Sequence, residues 1–439
     1  MPGSVRSLML ALAAAAVVTQ PALAEGLRKG EGSSEKAGFS AIGLARVDSA
    51  IEAAIRGGST PGAALAIGRR GELVRLRGYG FLSWNGDDAA VTDSTIYDIA
   101  SLTKVVGTTS AVMILVERGL LDLDKPIYNY LTAWPWDGDH GRITLRHLLT
   151  HTSGLPAGAD LWTTPGRVEK LERIARMRLA NEPGLVTTYS DLGMIIVAAV
   201  IEAATQEPLD DFLYREVFEP LGMRDTRFNP RAFVAEAAMM TRVTPILALP
   251  SGSAFFAPFQ ILARWTPPGQ TPLTARIPSA RIAPTERGVP RGYVHDRNAA
   301  SLGGVAGHAG LFSSVRDLAT FAGSMLEAMH GEDLPIISAR TVNQFFQKPD
   351  HRRMRALGWD IAQGERSSAG DYFTQNSVGH TGFTGTSIWI DPERDLYVVL
   401  LTNRLHPSAA NKKHIAMRRA VHDAVQLAIE DEVVVARAE

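Results

Sequence analysis

No cysteine occurs anywhere in the 439 residues. Disulfides, thiolate nucleophiles, Cys-ligated zinc and iron–sulfur clusters are therefore excluded. So is a lipid anchor on an N-terminal cysteine. An excess of charge of one sign is also missing. Lys and Arg number 45 against 46 Asp and Glu, a net charge of −1. That balance argues against electrostatic binding of nucleic acid or of an anionic membrane. The chain has no fixed-period repeat, Gly-x-Ser-x-Gly elbow, P-loop Gly-Lys pair or His-Glu-x-x-His helix. What remains is ordinary globular composition, 45% apolar and 21% charged. At ~150 residues per domain, the length allows one large domain or two to three smaller ones.

The first 24 residues have the layout of a cleavable signal peptide. Arg6 precedes an apolar run from Leu8 to Val18, followed by Pro21 and the small-x-small site Ala22-Leu23-Ala24. That run is short for a membrane span of ~20 residues. No later segment reads as a span, so the mature chain is expected to be exported without a stable membrane anchor. Residues 25–40 are expected to form a flexible leader, and 432–439 a tail. Between them, 41–431 reads as one catalytic domain.

Helical spacing runs through "FSAIGLARVDSAIEAAIRGG" and closes at Gly57-Gly58. Two strand-like runs around Gly71 suggest a hairpin. Helical patterns dominate about 120–240. The dense prolines within about 241–300 form either a surface excursion or a loop framing a cleft. Strand-like segments return in "TSIWIDPERDLYVVLLTN", before a last helix. Strands thus cluster at both ends, about 41–119 and 301–431. That pattern predicts an α/β (α+β) fold built from both ends of the chain around a mostly helical subdomain.

The chemistry begins with "YDIASLTKVVG". A helix starting near Ala100 places Ser101 and Lys104 on one face. The apolar stretch after them predicts burial, which lowers the proton affinity of an amine. Ser101 would also lie at a helix N-terminus, where free N–H groups can stabilise an oxyanion. The same segment fits an N-cap serine followed by a solvated lysine. A second Ser-x-x-Lys, Ser33 to Lys36, falls in the polar leader, with no fixed donors or buried amine around it. Two further segments favour the catalytic pairing. "TTYSDLG" carries Tyr189 and Asp191 ahead of an apolar helix, and "GHTGFTGTSIWI" carries His380, Thr381 and Gly382 near a strand.

In that order, "SLTK", "YSD" and "HTG" resemble the three motifs of the serine β-lactamase and penicillin-binding protein family: Ser-x-x-Lys, Tyr-x-Asn and Lys/His-Thr-Gly. "LLTHTSGLP", "FEPLGMRDTRF" and "LGGVAGHAGLFSS" support the resemblance over about 41–428. It is strongest to the penicillin-binding-protein 4B branch and related serine carboxylesterases.

The resemblance implies a β-lactamase/transpeptidase-like fold, with an antiparallel sheet flanked by helices. It makes Ser101 the nucleophile, Lys104 its base or proton relay, and Tyr189 the proton shuttle to the leaving group. The backbone N–H groups of Ser101 and Phe383 would form the oxyanion hole. His380 would assist Tyr189 and, with Thr381 and Gly382, bind substrate. Asp191 stands where the family usually has Asn. An ionised carboxylate only accepts hydrogen bonds, and beside Lys104 it favours the ammonium.

No cofactor and no metal are implied. His147 and His151 have a ligand-like spacing but lack a zinc protease's glutamate. His295 and Asp296 could either reach the cleft or serve structure. The expected partner is a small molecule or peptide: a peptidoglycan stem peptide, an ester or a β-lactam. Oligomeric state is left open. The implied function is an exported serine hydrolase acting like a D-Ala-D-Ala carboxypeptidase. The alternatives are a carboxylesterase, a weak β-lactamase or a penicillin-binding sensor.

Overall fold

The computed structural model describes residues 34–86, 88–230, 277–347, 355–363 and 367–430. The signal-peptide segment, the C-terminal tail and most of the proline-dense segment lie outside these residues.

Helix α1, Ala41–Arg56, buries Leu44, Val47 and Ile51 along one stripe. Ser40 caps it, its Oγ accepting from Gly43 N at 3.0 Å, a contact type worth about 1 kcal/mol. The hairpin follows: β1, Gly62–Arg69, and β2, Glu72–Gly80, in antiparallel register. Arg70 and Gly71 between them both have positive φ, 53° and 72°, as a tight two-residue hairpin turn requires.

Strand β3, Ile96–Asp98, leads into a continuous helical run from Ala100 to Glu117. That run opens as a 3-10 turn, widens into a π-helix over Lys104–Thr109 and ends as α2, Ser110–Glu117. Its length and hydropathy suffice for a membrane span, contrary to the expectation that no later segment would qualify. It is 83% buried, which is the behaviour of a core helix.

The middle of the chain holds α3, Leu145–Leu149; α4, Arg167–Ala175; α5, Asp191–Thr205; and α6, Leu209–Leu213. Helix α5 is buried almost all round, as its unbroken apolar composition predicts. Strand β4, Arg227–Phe228, pairs with β5, Leu311–Ser314, which also pairs with β3. This small three-stranded sheet was not evident in the sequence, because each strand is too short to show alternation.

Beyond it lie α7, Arg297–Ser301; α8, Val315–Met329; α9, Ala339–Phe346; and α10, His414–Leu427. Strands β6, Asp360–Ile361; β7, Val378–Thr381; β8, Ser387–Asp391; and β9, Leu396–Thr402, complete the large sheet. Its order is β2-β1-β9-β8-β7-β6, all antiparallel.

Central strands β1 and β9 are buried on both faces, and alternation assigns their side chains to two cores. Ala64, Ala66, Val399 and Leu401 face the helical body. Leu65, Ile67, Val398 and Leu400 face α1 and α10. Each fully buried Leu, Ile or Val contributes about 1.5–3 kcal/mol, so both ends of the chain are locked into one sheet.

The leader was expected to be flexible to residue 40, and its described end is not. Ala37 and Phe39 are buried in the second core, and Phe39 bridges to Ile429. Two apolar side chains were enough to dock an otherwise polar stretch. The described part of the proline-dense segment runs beside the small sheet. Ala283 N bonds to Ile96 O at 2.9 Å, and Ile282 bridges Ile96.

Candidate active site

Ser101 lies in the first turn of the buried helical run, directly after β3. Ala100 before it has φ +47°, a left-handed conformation that costs a non-glycine residue about 1–3 kcal/mol. Lys104 follows one turn later, at the start of the π-helical stretch, and is 0% exposed. Wide π turns inside helices recur at functional sites.

Lys104 Nζ donates to Ser101 Oγ at 2.9 Å and to the His308 carbonyl at 2.8 Å. Its third neighbour is Asp191 Oδ1 at 2.7 Å, an ion pair that departs from hydrogen-bond alignment. Three oxygens thus surround a group with three N–H bonds, the environment of an ammonium. Burial is the largest single influence and lowers the proton affinity of Lys104. The Tyr189 oxygen and the Asp191 carboxylate together outweigh it, so its pKa lies above the ordinary lysine value. The lowered pKa expected from burial is therefore reversed. The effect expected from Asp191 is present.

Tyr189 sits at the N-terminal end of α5. Ser190 caps that helix, with Oγ accepting from Gly193 N at 3.2 Å. His151 fixes the turn from below. Its carbonyl accepts from Thr188 N at 2.8 Å, its Nδ1 accepts from Ser190 N at 3.0 Å, and its ring lies 4.6 Å from the Tyr189 ring. Lys104 Nζ and the Arg355 guanidinium both lie over the phenol ring, at 5.0 and 5.2 Å.

His380 and Thr381 lie on β7 itself, not merely ahead of a strand. The His380 ring is 6.0 Å from that of Tyr189. His380 Nδ1 is 2.9 Å from the Thr381 carbonyl, which can only accept, so Nδ1 carries the proton. Nε2 then accepts from Arg355 Nη2 at 3.2 Å. Burial, then the charges of Arg355 and Lys104, hold the His380 pKa well below its usual range. His380 is thus neutral and buried, and it brings no charge to a substrate carboxylate. Arg355 is the nearby cation, and it is paired with Asp360.

Gly382 explains how the two halves of the site meet. A Cβ there would lie 2.6 Å from Ile99 O and 3.4 Å from Ala100 Cβ, so only glycine lets this turn close on the Ser101 segment. Phe383 follows, 56% exposed, with Arg404 over its ring at 4.3 Å. All of Ser101, Lys104, Tyr189, Asp191, His380, Thr381, Gly382 and Phe383 therefore converge on one region.

Sequence reasoning missed Arg355, Asp360 and Asp98. Arg355 stands in the basic run "HRRMRALGW", which looks like a solvated face. His295 and Asp296 do approach the site from behind. His147 and His151 have separate structural tasks, since His147 completes the capping box of α3.

The beta-lactamase family model matches residues 47–422. The chain belongs to the beta-lactamase family. It is 30% identical over 403 residues, 87% of each chain, to an Escherichia coli O157:H7 protein named "Putative D-alanyl-D-alanine carboxypeptidase". It is also 30% identical over 395 residues to a Bacillus subtilis (strain 168) protein named "N-acetylmuramyl-L-alanine amidase", covering 85% of this chain and 83% of that one. Among solved structures, a class C beta lactamase from Rhodobacter sphaeroides superposes with a TM-score of 0.61 at 20% identity, covering 87% of this chain and 98% of that one. Family membership makes the protein a serine hydrolase with an antiparallel sheet flanked by helices.

The Arg355–His380 contact gives one prediction. In Arg355→Met, the positive charge beside His380 is removed, so the His380 pKa should move up toward the ordinary value near 6.5. NMR titration of the imidazole would show the rise. An unmoved titration would mean that burial alone keeps the ring neutral.

Proposed function

We propose that the protein is an exported serine hydrolase that works through an acyl-enzyme on Ser101, with D-Ala-D-Ala carboxypeptidase-like action on cell-wall peptides. The observation that carries this reading is the contact of Ser101 Oγ with Lys104 Nζ at 2.9 Å, with Tyr189 and Asp191 beside that ammonium. The names of the two relatives support the substrate class, and the N-terminal sequence pattern supports export.

Ser101 Oγ attacks the substrate carbonyl carbon while its proton passes to Tyr189, which takes it as a phenolate beside the Lys104 ammonium. Because Lys104 already donates to Ser101 Oγ, the hydroxyl proton is free to point elsewhere, and the ammonium stabilises the developing alkoxide. The backbone N–H groups of Ser101 and Phe383 receive the oxyanion. Tyr189 returns the proton to the leaving amine or alcohol, and water repeats the sequence in reverse to free the enzyme. His380 keeps the face behind Tyr189 neutral. Thr381 and Gly382 line the edge along which substrate lies.

A second reading, a carboxylesterase, is favoured by the charge balance of the floor. Lys104 is offset by Asp191 and Arg355 by Asp360. Both of these cations are already paired and offer a substrate carboxylate little, and Asp191 cannot donate to an amide carbonyl. A panel of D-Ala-D-Ala peptide, nitrophenyl ester and cephalosporin separates the readings. Release of D-Ala from the peptide, lost in Ser101→Ala, supports the first. Turnover of the ester alone supports the second.

Asp191→Asn tests the substituted motif. Removing the carboxylate takes away one of the charges that raise the Lys104 pKa. Because the reaction uses Lys104 as the ammonium, it is the descending limb of kcat/KM against pH that should shift to lower pH. The restored donor should improve hydrolysis of acylamido substrates by about tenfold, the worth of one hydrogen bond of ~1.4 kcal/mol. Unchanged kinetics with those substrates would sink the idea.

A further inference from the structure

Behind the site runs a buried polar chain that none of the reaction steps uses. Asp98 ends β3 and is 3% exposed. Its Oδ1 accepts from Ala100 N at 2.9 Å and its Oδ2 from His295 N at 2.9 Å. The first bond holds the left-handed residue that immediately precedes Ser101. The second reaches across to the segment ahead of α7.

From that segment two routes return to the site. The His295 ring stacks on Phe383, with centroids 5.9 Å apart and planes 25° from parallel. Asp296 accepts from His308 Nε2 at 2.8 Å, and the His308 carbonyl accepts from Lys104 Nζ at 2.8 Å. One carboxylate therefore ties the nucleophile's neighbour to the segment that braces both Phe383 and Lys104.

We propose that Asp98 is a positioning residue whose ionised carboxylate locks the Ala100–Ser101 backbone to the 295–308 segment, so that acylation at Ser101 requires that form. This rests on the reading of Ser101 as nucleophile. A carboxylate offers an acceptor to each N–H. A protonated acid turns one of its oxygens into a donor, which opposes one of the two N–H groups.

Burial raises the Asp98 pKa to about 6, with the His295 and Ala100 N–H bonds and the His295 charge holding it down and Asp296 pushing it up. Among the described residues, the charged and titratable groups acting on Asp98 are thus His295 and Asp296. On β5 its pairing partner is the uncharged Phe312. The native value lies above the unfolded value near 3.8. The native state is therefore favoured by low pH through this group, and loses that advantage as pH rises through about 6. The form that activity needs is the less stable one. A merely structural carboxylate would move activity and stability together.

The test uses the full chain, labelled with a fluorescent penicillin and acylated with a nitrophenyl ester across the acid to neutral range, alongside thermal unfolding. Wild type should acylate faster by about tenfold as pH rises by one unit below the ionisation. Asp98→Asn should label at least about tenfold more slowly at neutral pH, lack the acidic limb and keep its KM. Its Tm should fall little. Wild-type labelling in Asp98→Asn, or survival of the same limb, would overturn the proposal. If that variant does not fold, a wild-type profile with no ionisation near pH 6 overturns it equally. Labelling that persists in Ser101→Ala would overturn the reading of Ser101 instead.

Discussion

Ser101→Ala is expected to lower turnover of every substrate by at least about 10⁴-fold, the usual cost of deleting a nucleophile that acts as part of a unit. In the proposed reaction the Ser101 hydroxyl is the group that carries the acyl intermediate. The rest of the site would persist. Lys104 would keep its contacts with the His308 carbonyl and Asp191, at 2.8 and 2.7 Å, so folding should be unaffected. The measurement is steady-state kinetics together with mass spectrometry after penicillin labelling. Wild type should carry an adduct on Ser101 and the variant none. A variant that still turned over all three substrate types would remove Ser101 from the mechanism.

Lys104→Met should also be severe, with a loss of about 10²–10³-fold, the range for removing a positioned donor to a developing negative charge. It should differ in its effect on stability. Asp191 is one-third exposed, and without Lys104 its carboxylate faces an apolar side chain at a partly buried site. Breaking a fully buried pair costs about 3–5 kcal/mol. With Asp191 partly solvated, about 1–2 kcal/mol is expected here. The double variant Lys104→Met/Asp191→Asn should recover that stability without recovering activity. Urea denaturation and ester kinetics on the three proteins check both halves. Recovery of activity in the double variant would show that Lys104 only neutralises Asp191.

Three segments of chain made the proposed site readable. Ser101-x-x-Lys104, Tyr189-x-Asp191 and His380-Thr381-Gly382 could be found because each is local and each needs particular side chains. Helix α1, the hairpin at Gly71 and the last helix, α10, were legible for the same kind of reason, since apolar periodicity and turn residues are local signals. Lys104 shows where this ends. Its burial followed from the apolar helix after it. Its charge depends on Asp191 at the start of α5, on Tyr189 just ahead of that helix, and on a carbonyl 204 residues away.

The proposed reacting groups and the order of the elements that bear them are local properties, legible in the chain before it folds. Their protonation and rigidity are not, and were settled only by the fold. Arg355 donating to His380, His151 clamping Tyr189, and Asp98 joining Ala100 to His295 are all contacts between distant segments. A charge or hydrogen-bond partner is chosen by distance and burial in the folded chain, and neither is encoded in local spacing. The same arginine that reads as one more solvated charge in "HRRMRALGW" becomes, in the folded chain, a charge that adds to burial in keeping the site's histidine neutral.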